Sequence, residues 1–253
     1  MTPRWRTLLL VLAGLVILPG VWRVAMALPP FGAPTSPYGQ AVNALVPSLR
    51  HVSNMVSAVN FDVRGFDTLG EEFMLLCAVT GTVLILRGGR GEDRRAKAGR
   101  IAGRALEPRS DATVLICRMF GVFTLVFGFY VTLHATATPG GGFQGGVVVA
   151  SGLLLVYLGE GYRGWRRIAR APVLDGLEGG GALLFALAGL LPVVLGRAYL
   201  ENVLPLGTVK DILSGGLMLV ENVGVAFAVA GGFAMIMVEF MEETRATQSE
   251  VEE

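Results

Sequence analysis

Six stretches of the chain stay apolar long enough to cross about 30 Å of hydrocarbon at 1.5 Å per residue. They are Leu8–Ala27, Gly70–Leu86, Ala112–Leu133, Phe143–Leu158, Leu177–Gly196 and Ile212–Phe240. The fourth is short and the sixth long, which predicts a broken or re-entrant segment and a tilted one. Between the first two runs the pattern changes. "LPPFGAPTSP" (Leu28–Pro37) is too rich in proline to continue a helix. From Gln40 onward Val42, Leu45, Val46, Leu49, Val52, Val56 and Val59 recur at helical spacing with polar residues between them. That spacing predicts an amphipathic helix at the membrane interface or against partners, bent or interrupted at Pro47. The expected fold is an all-α integral membrane protein with about six transmembrane helices plus this external helix. Residues 1–88 form a two-span part with its external loop, 89–110 a basic cytoplasmic linker, 111–244 a four-span domain and 245–253 an acidic cytoplasmic tail.

Lys and Arg orient these spans. Alternate sides of the six spans receive fifteen and five of them. The rich side holds Arg4, Arg6, eight residues from Arg87 to Arg109, four from Arg163 to Arg170, and Arg245; the poor side holds Arg23, Arg50, Arg64, Arg197 and Lys210. Both termini are therefore expected in the cytoplasm. Arg4 and Arg6, an apolar run and "AMA" at Ala25–Ala27 also fit a cleavable signal peptide. The length of the run and the consistent topology favour an uncleaved anchor.

Composition agrees: 53% of residues are hydrophobic and 16% charged, against about a quarter charged in a soluble domain. A net charge of +1 gives no bulk field for nucleic acid. Cys77 and Cys117 lie in apolar runs, and with only His51 and His134 besides they make no metal cluster.

"PGGGFQGG", Pro139 to Gly146, contains G-x-G-x-x-G at Gly140, Gly142 and Gly145. A dinucleotide site needs a buried strand before that string and an acid about 20 residues after it. Here a membrane-length run flanks it on either side, so no nucleotide is expected. Pro139 is expected to stop the third helix, and Gly140 and Gly141 to turn the chain. Gly142, Gly146 and Ala150 then form a small-residue stripe for close helix packing. Phe143 belongs to the same break-and-packing motif; a second reading keeps the loop half-buried, with its free amides and Gln144 against a cation path or a neighbouring subunit.

"TPGGGFQGGVVVASGLLLVYL" (Thr138–Leu158) resembles the signature of the MnhB subunit of Mrp-type (Mnh-type) multisubunit cation/proton antiporters. "LPLGTVKDILSGGLMLVENVGVAFAVAGGFAMIMVEFMEE" (Leu204–Glu243) resembles the end of the same subunit. "LPPFG" (Leu28–Gly32), "SPY" (Ser36–Tyr38) and "VRGFDTLGE" (Val63–Glu71) resemble the E-type membrane subunit of complex-I-related, membrane-bound hydrogenases. In Mrp systems the equivalent of that hydrogenase segment is the C-terminal end of the large A-type subunit. The resemblance implies a fusion of the two, acting as a non-catalytic subunit of an Na+ (or other monovalent cation)/H+ antiporter in a prokaryotic cytoplasmic membrane. It implies no cofactor beyond the transported cation and proton, and as partners the other subunits of an Mrp-type or complex-I-like assembly and the bilayer. An accessory subunit of an energy-converting hydrogenase, or a purely structural scaffold, are the alternatives. Tyr199–Asp211 is shorter than the family's outer loop, and "ENVGV" places Asn222 where the family tends to have an acid, with Glu221 one residue earlier.

An ionisable group in hydrocarbon costs at least ~2.5–3.5 kcal/mol and needs a partner or a function. Glu221, about nine residues into the sixth run, is therefore a candidate proton or cation contact, with Asn222 beside it; the alternative is a structural partner for Arg118 or for a basic residue of a neighbouring subunit. Asp67 and Glu71 open the second span, where acids suit the helix dipole and could also line an ion route. Asp175 and Glu178 open the fifth in the same way, and Glu72 reads as a solvated neighbour. Arg118, which falls where the family often has an Arg, is expected either to snorkel to the interface or to form a buried pair. His134 lies beside the glycine turn, where a surface or hydrogen-bonded imidazole is favoured over a titrating group.

Overall fold

Each of the six apolar runs forms a helix in the structure, a computed structural model that describes residues 3–30, 32, 36–90 and 110–251. The expected basic linker, 89–110, lies outside these apart from its first two residues and its last. The chain divides into two compact units, residues 1–41 and 42–253. In the first, α1 (Pro3–Met26) carries Pro19 within it, and the described side chains along it are exposed. This unit also begins α2 (Pro37–Arg50), where Ser36 caps the first turn by accepting the Gly39 N–H at 3.1 Å.

In the second unit α2 runs straight through Pro47, contrary to the expected break there. Pro47 withdraws the N–H that the Asn43 carbonyl would otherwise accept, yet the helix continues to Arg50. The interruption comes instead at His51, which takes a φ of 55°. Asn54 then caps α3 (Met55–Ala58), which continues into a π-helical turn at Val59–Val63. The expected amphipathic face is thus split between two elements: Val42, Val46 and Val52 are buried while Leu45, Leu49 and Val56 are exposed.

Five long helices follow: α4 (Gly65–Arg90), α5 (Asp111–Leu133), α6 (Gly142–Ile168), α7 (Ala171–Val194) and α8 (Leu217–Val251). Three differ from expectation at their ends. The fourth span is not short: α6 is helical for 27 residues, with a break at Gly161, whose φ is 73°. Pro139 does not stop α5, which ends six residues earlier, where the His134 N–H bonds back to the Tyr130 carbonyl. The sixth helix begins at Leu217 and not near Ile212, because Lys210, Gly215 and Gly216 take positive φ and Asn202 Oδ1 accepts the Leu217 N–H at 3.0 Å.

Glycines set how closely these helices pack. A methyl at Gly145 would strike Thr132 Oγ1, and one at Gly142 would strike the Asn222 carbonyl. One at Gly181 would strike the Gly224 carbonyl and the Ala228 amide. So α6 lies backbone to backbone against α5 and α8, and α7 does the same against α8, as small-residue stripes allow. The expected stripe Gly142–Gly146–Ala150 faces such a seam, and so does a second one, Gly224–Ala228–Gly232. α8 is the centre: Val225, Val229, Ala234 and Met235 are buried against neighbours including Val79, Phe185 and Tyr157. α5 leaves a face of Leu115, Phe120, Phe123 and Phe127 exposed, as suits lipid or another subunit.

Candidate functional site

The glycine string is held by two buried asparagines. Gly140 has a φ of 137°, which an L side chain resists. Its carbonyl, with those of Ala135 and Thr138, lies 2.7–3.0 Å from Asn54 Nδ2, so two N–H groups serve three acceptors. Asn54 Oδ1 accepts from Val56 and Ser57 amides and starts α3. Asn222, fully buried, accepts the Gly142 N–H at 2.8 Å and donates to Ser57 Oγ at 2.9 Å and the Met218 carbonyl at 2.7 Å. These bonds satisfy a turn that would otherwise leave backbone groups unpaired where water is scarce. Asn222 is thereby a tie between α8, α3 and the start of α6. Pro139, Phe143 and Gln144 are more open to the surroundings, and Gly141, Gly145 and Gly146 are buried in it.

The carboxylates fall differently from expectation. Glu221 is the fifth residue of α8, nearer the helix start than the sequence predicts, yet fully buried. Neither of its carboxyl oxygens has a hydrogen-bond partner among the described residues. Burial first, and then nearness to Glu221, hold the Tyr199 phenol above its ordinary value. Arg118 is not the partner of Glu221: its Nε pairs with Glu160 across α5 and α6, and the Arg118 side chain stays exposed. Asp67 and Glu71 are both exposed, and Asp67 is paired with Arg64. Glu72, expected in solvent, is 3% exposed, and its Oε2 finds no partner among the described residues. Glu178 is not a capping acid either. It is the eighth residue of α7, buried, with Oε1 unpartnered beside Gly232 of α8. His134 ends α5 with its Nδ1 2.9 Å from the Tyr130 carbonyl and its ring centre 4.0 Å from that of Tyr130.

The structure therefore brings Asn222, Gly140, Gly141, Gly142 and Gln144 to one place and leaves Arg118 and His134 elsewhere. It adds Asn54, Ser57 and Glu72. A cavity of about 470 Å³ lies there, lined by residues that include Ser57, Asn60, Thr68, Glu71, Glu72 and the stretch from Gly140 to Gln144. Glu72 was visible in helical spacing: Thr68, Glu72, Val79 and Val83 share one face of α4 and all are buried. Leu174, Glu178, Gly181 and Phe185 repeat the pattern on α7. Among the described residues no group of three or more His, Cys, Asp or Glu could hold a metal ion.

A family profile described as a domain related to the MnhB subunit of Na+/H+ antiporters matches residues 113–235. This match covers most of the C-terminal four-helix part, from α5 into α8. A putative antiporter subunit MnhB2 of Staphylococcus aureus is 29% identical over 123 residues, 45% of this chain and 81% of that protein. An uncharacterised protein of Methanocaldococcus jannaschii is 27% identical over 203 residues, 72% of this chain and 75% of that one. Among solved structures, a chain of an archaeal membrane-bound sulfane sulfur reductase is 26% identical with a TM-score of 0.70, covering 92% of this chain and 98% of its own. A chain of the Mrp complex from Dietzia sp. is 23% identical with a TM-score of 0.72, covering 94% of this chain and 26% of its own. The likeness to the Dietzia chain is one of fold. It extends beyond the MnhB-matched segment into the N-terminal part. The Asn222 tie, Glu178, Glu221 and the glycine turn all lie within that segment, whereas Asn54 and Glu72 lie before it.

Proposed function

We propose that this chain is a non-catalytic membrane subunit of an Mrp-type multisubunit cation/proton antiporter, in which it helps to assemble or flank an ion path. The match of residues 113–235 to the MnhB-related profile carries this reading. Three buried carboxyls whose oxygens lack partners among the described residues support it, because a helix bundle serving only as an anchor gains nothing from groups so costly to bury. In this reading Na+ or another monovalent cation moves against H+, and no organic cofactor takes part. Residues 1–88 supply the hydrogenase-like part and 111–244 the MnhB-like part, joined by the basic linker. The charge bias places both termini in the cytoplasm of a prokaryotic cell, and the glycine turn then opens to the outside.

A second reading is an accessory membrane subunit of a complex-I-related assembly, favoured by the nearly complete coverage of the sulfane sulfur reductase chain. Affinity purification of the tagged chain from its own membranes separates the two. Co-purification of large antiporter subunits without metal-cluster proteins is expected. Recovery with Cys-ligated redox subunits instead would replace the first reading with the second.

A further inference from the structure

We infer that the cavity beside the Gly140–Gln144 turn binds a partly hydrated monovalent cation, with the Glu72 carboxylate as its anionic ligand and as the group that gives up a proton in exchange. This inference rests on the antiporter reading above and extends it by placing an ion site within this chain. Three observations carry it. First, the cavity of about 470 Å³ has room for several waters, each occupying ~30 Å³. Second, Glu72 forms part of its wall while being only 3% exposed, and its Oε2 has no hydrogen-bond partner among the described residues. A bare carboxylate held that way is costly, so the group carries either a proton or a counter-ion. Third, the polar lining is hard oxygen and amide chemistry: the Glu71 carboxylate, the Asn60 and Gln144 amides, and the Ser57 and Thr68 hydroxyls. Such a set suits an alkali cation, whereas a divalent or transition metal asks for more carboxylates, or for imidazole and thiolate.

Among the described residues, the charged groups on the elements packed around Glu72 leave no free cation beside it. On α4 itself, Glu71 adjoins Glu72, and Asp67 is paired with Arg64. The preceding π-helical turn brings Asp62, paired with Arg50 at 2.6 Å. α8 carries Glu221 and Glu239, and α7 carries Asp175 and Glu178. Arg50 and Arg64 are already matched by acids, so neither guanidinium is free to take the place of the cation. Glu221 and Glu178 do not line the cavity, which singles out Glu72.

The exchange balances. The Glu72 carboxylic acid releases its proton to cavity water as hydronium, and the cation gives up part of its hydration to the carboxylate. One positive charge leaves as one arrives, so the buried site never holds an uncompensated charge.

Infrared difference spectroscopy of the full chain, purified with its companion subunits into lipid nanodiscs, tests this directly. Choline chloride is exchanged for NaCl, KCl or LiCl at constant pH. The expected result is loss of a protonated-carboxyl band and gain of a carboxylate band with at least one alkali cation. That signal is absent in Glu72→Gln and kept in Glu221→Gln. Glu72→Asp, which keeps the charge but withdraws it from the cavity, is expected to raise the half-saturating cation concentration about ten-fold. It serves as the test if Glu72→Gln does not assemble. A wild-type protein with no cation-dependent carboxyl signal, a signal that survives Glu72→Gln, or an unchanged half-saturation in Glu72→Asp each overturns the site. An intact signal in a complex without cation/proton exchange would sink the antiporter reading and leave the site standing.

Discussion

Asn54 and Asn222 show how much a single amide can do where water is scarce. Asn222 serves one backbone donor, one hydroxyl and one backbone carbonyl, all from a fully buried position. Asn222→Ala leaves the Gly142 N–H without its acceptor and empties the space between three segments. The expected cost is about 2–4 kcal/mol, read as a lowered unfolding midpoint of the purified protein in detergent. Asp at the same position keeps Oδ1 for the Gly142 amide but turns oxygen toward the Met218 carbonyl, so it is expected to recover only part of that loss. Either change leaving the midpoint unmoved would mean that the tie is not needed. The family resemblance points to position 222 for an acid, and the structure shows why an amide fits there: the Met218 carbonyl can only accept, while Oδ1 takes the Gly142 N–H. The Arg118–Glu160 pair is different. It joins two spans, with Arg118 eight residues into α5, so Arg118→Gln leaves the Glu160 carboxylate without its partner and is expected to lower the unfolding midpoint.

At the scale of elements, the seams between helices are set by absent side chains. A Cβ at Gly145 would overlap Thr132 Oγ1 and press on the Gly128 carbonyl, so α5 and α6 must separate to admit it. Gly145→Ala is expected to destabilise by about 1–3 kcal/mol. The double change Gly145→Ala with Thr132→Ala is expected to recover part of this, measured by the same unfolding. No recovery in the double variant would place the strain elsewhere. The six spans and the small-residue stripes were legible in the sequence because both are periodic. What escaped was decided by single contacts. Ile212 and Leu213 look like the start of a span, but Asn202 and the positive φ angles at 210, 215 and 216 hold them in a turn until Leu217. Pro47 looks like a break, yet α2 continues past it to Arg50; the boundary falls at His51, with its positive φ, before Asn54 caps α3. Glu72 and Glu178 sit near span starts, which suggests solvent for one and a cap for the other. The face that each shares, with Val79 and with Leu174, is what buries them.

For the whole molecule, the charge bias and the six helices make a topological claim that can be checked without any assay of transport. In a background with Cys77 and Cys117 replaced, a cysteine at Ser36 is expected to react with a membrane-impermeant maleimide in intact cells. A cysteine at Arg100 is expected to react only after permeabilisation. The reverse pattern would invert the orientation and place the glycine turn and its cavity on the cytoplasmic side. That the chain works in antiport is tested most directly in everted membrane vesicles from an antiporter-deficient strain that expresses the full set of companion subunits. The measurement is the collapse of a respiration-driven pH gradient on adding NaCl or KCl, with and without this chain. A collapse that requires this chain is predicted for at least one cation. An equal collapse without it, or none with the full set, would contradict the account.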